Sequence, residues 1–545
     1  LGRICNILKH NRRTVILQIQ RHLEHSPGFP HRHGQPIYRS YRALGRSRKD
    51  VSCTERNRGP GRHYPTCLHR FSCLPRQFHM YTNKMISLVK LVFGVLGAIM
   101  LGTTPVWAHA ANQGFVLLLP TTAYIAGGTV TVALTILLLI FAKPGTIDAV
   151  MQPVPLRFRA STLPLRDWSQ STGALCLALL ILIGLRGPTD PQANLLPLVI
   201  WTVWWMLFFV VQALIFDLWS WINPFPAVHR MLMSEHRVIL NLPSRLSIWP
   251  AVVLMAAFQG FVLADTAPND PDRLAVFALG YWALTLGGMT VFGREAWLKQ
   301  VECFSVLFAL IGLIRMGRSN RLGLPGWQLL QDRDHDLSHA IFVVIILAAG
   351  SFDGLYETFW WLAKIGVNPL EYPGRTALIM PTLIGLYGSI LLLTIILAVA
   401  AFSGIKWVKD PVPFKAAFIR FAITLLPIAI GYHFAHYFVT FLVQIQIVVA
   451  GLADPLAQGW NLFGLGSRRV LVGFLTVPEN VKIIWFTQAG MVVMSHVLAV
   501  VLCHRTAEAL VSSRRDVVML QLGLSVLMIF YTIFGLWLLA SPRGA

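Results

Sequence analysis

Apolar stretches long enough to cross a bilayer alternate with short polar loops over most of this 545-residue chain. A hydrocarbon core about 30 Å thick takes about 20 apolar residues per helical crossing. Spans are read at 120–142, 171–187, 195–216, 249–265, 274–293, 337–352, 377–402, 416–447, 483–503 and 517–540. The fold class is therefore all-α: a polytopic membrane protein with about ten transmembrane helices. The stretch 302–314 has 13 residues, too few for an easy crossing, and reads as a short re-entrant or interfacial helix.

Charge sets the orientation. With the N-terminus outside and ten spans, the inner loops hold 19 Lys and Arg, among them Lys143, Arg315, Lys409 and Arg515. The outer loops hold eight, including Arg186, Arg375 and Arg543. That bias is what the positive-inside rule requires. A crossing at 302–314 would move Arg315, Arg318 and Arg321 outside and invert everything downstream. Two outer loops, 350–376 and 451–482, are long and rich in aromatic residues, the kind of place where function concentrates.

Composition agrees, but only for part of the chain. Charged residues make up 13% and hydrophobic ones 55%, with a mean hydropathy of +0.60; these values exclude an ordinary water-soluble enzyme. The net charge of +22 lies mostly in residues 1–84, which carry 17 Lys and Arg against three acids. That segment shows no helical or strand period. Cys5, Cys53, Cys67 and Cys73 lie near His63 and His69, but in none of the paired spacings of a zinc site. A basic nucleic-acid-binding arm is the other functional reading. We read residues 1–84 instead as upstream sequence before a start at Met85, and expect no nucleic-acid partner. Residues 85–110 form a signal peptide: Lys90, an apolar run from Leu91 to Leu101, and the cleavage site Ala108-His109-Ala110. The mature domain, 111–545, then begins outside the membrane. Its three cysteines, Cys176, Cys303 and Cys503, imply no disulfide framework.

Polar chemistry within a membrane is costly and points to function. The densest example is GYHFAHY (431–437). His433 and His436 are three apart and share a helix face, with Pro427 expected to kink the helix before them. Two imidazoles so placed suit a divalent metal, a haem iron or a proton relay; the alternative is interhelical hydrogen bonding. Asp353 and Glu357 are four apart and would share a face if helical. With His496, in the middle of the ninth span, they are the candidate catalytic residues. The alternative for the carboxylates is an aromatic belt with solvated acids. His504 reads as structural. Asp332, Asp334, His335, Asp336 and His339 look like a metal cluster but read better as a helix start, with Asp336 as N-cap. Asp217 and Glu302 are expected to pair with nearby arginines.

The stretches ANQGFVLLLPTTAYIAGG, LPLVIWTVWW, GSFDGLYETFWWLAKIGVNPLEYPG, GYHFAHY and YTIFGLWLLASPRGA resemble a bacterial multi-pass membrane family labelled fenitrothion hydrolase. The resemblance covers about residues 85–545. It implies hydrolysis of an organophosphorus triester to release a nitrophenol, in the bacterial cytoplasmic membrane, and brings no established catalytic residues with it. Such substrates are uncharged small molecules that dissolve in bilayers. A metal on His433 and His436, aided by Asp353 and Glu357, would activate water and act as Lewis acid. The rival readings are a transporter or a metal- or haem-handling protein, and a non-catalytic assembly factor.

Overall fold

The computed structural model describes residues 120–155, 163–233, 238–318, 320–331, 334–368, 374–464 and 470–543. The upstream segment, the signal peptide and Asp332 lie outside these residues. Within them the protein is an all-α, polytopic membrane protein.

In chain order the main helices are α1 (Thr121–Phe141), α2 (Leu163–Arg186), α3 (Leu195–Leu214), α4 (Trp249–Ala264), α5 (Pro271–Phe292), α6 (Arg294–Gln300) and α7 (Cys303–Ile311). They continue with α8 (Leu337–Leu355), α9 (Phe359–Lys364), α10 (Arg375–Ile405), α11 (Phe414–Ile423), α12 (Leu426–Ala453), α13 (Pro478–Glu508) and α14 (Arg514–Ala540). Among the described residues nine spans are long and apolar enough to cross a membrane, with α11 and α12 counted as one. On α1 and α10, Val130, Leu138, Ile384 and Leu391 are 62–72% exposed, as side chains facing lipid would be. Among the described residues, strand is confined to three two-residue pieces, β1 (Val154–Pro155), β2 (Gly317–Arg318) and β3 (Arg321–Leu322). They pair antiparallel in the order β1-β3-β2, with Val154 opposite Leu322 and Gly317 opposite the same residue.

Two doubtful segments are settled by what touches their ends. α4 has 16 residues, about 24 Å of helix. Just before it, Ser247 bonds to Ser338 in the first turn of α8. At its finish, Arg375, the first residue of α10, donates to the carbonyls of Val262, Leu263 and Asp265. α4 therefore runs from the level where α8 begins to the level where α10 begins, and it is the tenth crossing. α7 behaves differently. Near its start Ser305 receives the Trp219 indole N–H at 3.0 Å, and just past its end Arg315 lies 3.7 Å from Asp217 while Met316 N–H reaches Leu214 O. Both flanks return to the segment that follows α3, so this helix enters and leaves at one end. Together α6 and α7 are bent by 64°.

Glu302 corrects an expectation. Among the described residues it pairs with no arginine; its carboxylate caps α7 by accepting from Phe304 N–H and Ser305 N–H, and it receives the Tyr281 hydroxyl at 2.5 Å. First-turn amides have no intrahelical partner and compete well for a buried carboxylate. Asp217 does meet Arg315, as expected.

The expected kink at Pro427 is a full break. The helix stops at Ile423 and restarts at Leu426, which puts Pro427 in a first turn, where its missing N–H costs nothing. Close approaches then position α12. A Cβ on Gly354 of α8 would lie 1.8 Å from the Tyr432 hydroxyl, and one on Gly431 would lie 2.4 Å from the Ser495 side chain of α13. Glycine at these points lets the three helices touch.

Candidate catalytic site

Asp353 sits in the last turn of α8, facing α12. His436 Nε2 lies 3.1 Å from Asp353 Oδ2, and the Tyr437 hydroxyl donates to the same oxygen at 2.5 Å. The His436 and Asp353 side chains are 8% and 13% exposed. The third member comes from the far end of the chain. After α14, Arg543 forms a backbone bridge with Thr358, and Phe359 N–H donates to Pro542 O. This strap carries the Arg543 guanidinium to 3.3 Å from His436 Nδ1. Arginine can only donate, so Nδ1 accepts, and Nε2 carries the hydrogen that goes to Asp353. The neutral tautomer follows from the partners.

His436 and Arg543 line a cavity of about 210 Å³ with Gln488, Thr440 and Trp485. Gln488 is anchored by donating to Ala435 O. The cluster is thus a carboxylate–imidazole pair with a guanidinium beside it, on the wall of a cavity. Such a set can accept a proton and stabilise developing negative charge.

His433 is turned elsewhere. Its Nε2 lies 2.8 Å from the carbonyl of Trp205, and its ring stacks on Phe209 at 4.0 Å between centroids. Trp205 belongs to a π-helical stretch of α3, Val199–Phe208, where the wider winding re-aims backbone groups. A metal held by His433 and His436 does not fit this geometry. Both Nε2 atoms are engaged, the remaining nitrogen of His436 faces a guanidinium, and that positive charge opposes a cation. Among the described residues no three His, Cys, Asp or Glu side chains gather to share one ion.

Glu357 does not join Asp353. α8 ends at Leu355, so the four-residue helical spacing is lost, and Thr358 caps α9 by accepting from Trp361 N–H. Glu357 instead accepts the hydroxyl of Tyr356 at 2.7 Å. Burial, then the Glu357 and Asp353 carboxylates, push that phenol above its ordinary range. His496 is also separate: Nδ1 bonds to Val492 O of its own helix, Nε2 has no partner among the described residues, and the nearest ring is Tyr531 at 6.3 Å. His504 bonds to Gln521 and lies 3.8 Å from Glu508, a structural placement. Asp336 is the N-cap of α8, with His339 completing the capping box.

Sequence reasoning missed Arg543 as a member of the site. It lies 107 positions from His436, and the only local signal was a basic residue after the last apolar span.

Comparison with protein-family models, curated proteins and solved structures finds no match to this chain.

Proposed function

We propose that the protein is a membrane-embedded hydrolase of uncharged, lipophilic organophosphorus triesters, the activity its sequence resemblance implies. The observation that carries this reading is His436, with Asp353 on one ring nitrogen and Arg543 on the other, at the wall of a cavity. A triester dissolved in the bilayer presents its phosphoryl oxygen or thiophosphoryl sulfur to Arg543. The guanidinium shifts to that atom and leaves His436 Nδ1 free. Water attacks phosphorus, His436 takes its proton, the phosphorus–aryloxide bond breaks, and the nitrophenolate departs. Asp353, steadied by Tyr437, balances the imidazolium, as the carboxylate does in a Ser-His-Asp triad. The 210 Å³ cavity is below the size of drug-scale pockets, so it takes the phosphoryl end while the aryl group lies toward lipid. The membrane is the bacterial cytoplasmic membrane with the cluster toward its outer face, a placement supported by the loop-charge bias.

The test is nitrophenol release by vesicle-reconstituted protein, normalised to inserted molecules. His436→Gln and Asp353→Asn are expected to lose about a hundredfold or more, the usual scale of positioned acid–base catalysis. His433→Ala, which loses an interhelical hydrogen bond worth about 1 kcal/mol, is expected to keep its rate per molecule within a few-fold. If His436→Gln also stays within a few-fold, the assignment fails. If wild-type protein releases no nitrophenol, the cluster reverts to the proton relay of a transporter.

A further inference from the structure

A second cavity, of about 420 Å³, lies at the opposite end of the bundle from Asp353. That end is marked by the Arg505–Asp148 contact and by the bond from Arg514 to Ile140 O. Its wall carries Lys415, Arg420, Arg505, His335 and Thr506, and among the described residues no Asp or Glu lines it. Arg420 sits six residues into α11, half-buried between the buried Ile419 and Ile423. Neither Arg420 nor Lys415 has an ion pair or side-chain hydrogen bond among the described residues. The charge of Arg505 is offset by Asp148; among the described residues no ion pair offsets the other two. A cation at such a depth is expensive unless an anion meets it.

The backbone adds to the same field. α11 is a ten-residue helix whose N-cap is Pro413, which supplies no side-chain cap. Pro413, Lys415 and Ala416 are on the cavity wall with Ile419, Arg420 and Ile423, so the cavity runs along one flank of α11 and reaches its first turn, beside the cations. Uncapped first-turn amides beside arginine and lysine are a receptor for tetrahedral oxyanions, and arginine binds phosphate with paired donors.

We propose that this cavity binds a phosphate group, held by Arg420, Lys415 and the amino end of α11. Two sources share that chemistry: the headgroup of an anionic phospholipid, and free phosphate from the aqueous side. The site is independent of the cluster at His436 and does not rest on the hydrolase reading.

The experiment uses the full chain in phosphatidylcholine nanodiscs. One arm titrates inorganic phosphate by calorimetry. The other adds phosphatidic acid to the discs and counts lipids retained per protein by native mass spectrometry. Wild-type protein is expected to take one equivalent in at least one arm. Arg420→Gln is expected to weaken that binding about tenfold or more, the cost of losing one charge-assisted contact. Lys415→Gln, at an exposed position where folding is not at risk, is expected to weaken it as well. Lys406→Gln, outside the cavity, serves as control. Binding in the first arm identifies free phosphate as the source, and binding only in the second identifies the lipid headgroup. The proposal is overturned if neither probe binds, or if Arg420→Gln and Lys415→Gln both bind as wild type does.

Discussion

Tyr432 and Gly354 occupy one point of contact between α8 and α12, immediately beside Asp353 and His436. The Tyr432 hydroxyl has no hydrogen-bond partner among the described residues, and it fills the place where a Cβ on Gly354 would go. Gly354→Ala should therefore cost about 1–3 kcal/mol, as overpacking does. Tyr432→Phe should be nearly neutral, because no bond is lost. The double variant should recover most of the loss, since the ring's own Cζ would stand 3.0 Å from the new Cβ. Thermal unfolding midpoints of the three variants close the cycle; strictly additive penalties would show that the contact is not the cause. At this scale the sequence was partly legible. His436 and Asp353 stood out because ionisable residues within apolar runs are rare. That they meet was not legible, because α8 and α12 pack through Gly354, whose reason appears only once Tyr432 is placed. Glu357 was misread although Thr358, a favoured N-cap residue ahead of an apolar run, announced a new helix there.

Helix starts proved more readable than helix ends. Asp336 shows why: its side chain accepts from Ser338 N–H and His339 N–H, and the His339 ring closes the box. Burial opposes the charge, but hydrogen bonds from Ser247, Ser338 and His339 hold the carboxyl below the ordinary carboxylate range. A carboxyl depressed in the folded state adds stability that is fully present above its unfolded value of about 3.9 and is lost as pH falls through the folded value. Asp336→Ala should accordingly lower stability at pH 7 by about 1 kcal/mol. The gap from wild type should narrow as pH drops from 5 toward 3. Unfolding midpoints across that range check it, and a gap unchanged at pH 3 would assign the effect to something other than ionisation. Helix ends give no comparable signal. α8 runs three residues beyond the expected 352, and α12 reaches Ala453 rather than 447, because apolar composition does not say where a helix stops.

The whole molecule is organised by which segments cross and which turn back, and here hydropathy and charge had to be used together. Length alone would discount α4 and leave 302–314 ambiguous. The packing gives ten crossings, with α7 returning to its own side, and this is the count that leaves 19 basic residues in the loops of one side and eight in those of the other. Four crossings, α10, α11–α12, α13 and α14, separate the end of α8 from the end of α14, and this even number is how Arg543, after α14, reaches the Asp353 cluster. Reporter fusions test the arrangement as a unit. Fusions after Arg318, Lys409 and Arg515 are expected to report one compartment, the cytoplasm, and fusions near Asp270 and Trp460 the other. The Arg318 fusion is decisive. If it reports the compartment of Asp270, the α6–α7 pair crosses the membrane and everything after it is inverted. In that case α8 would also have to end on the cytoplasmic side, and the His436 cavity would open away from the outer face.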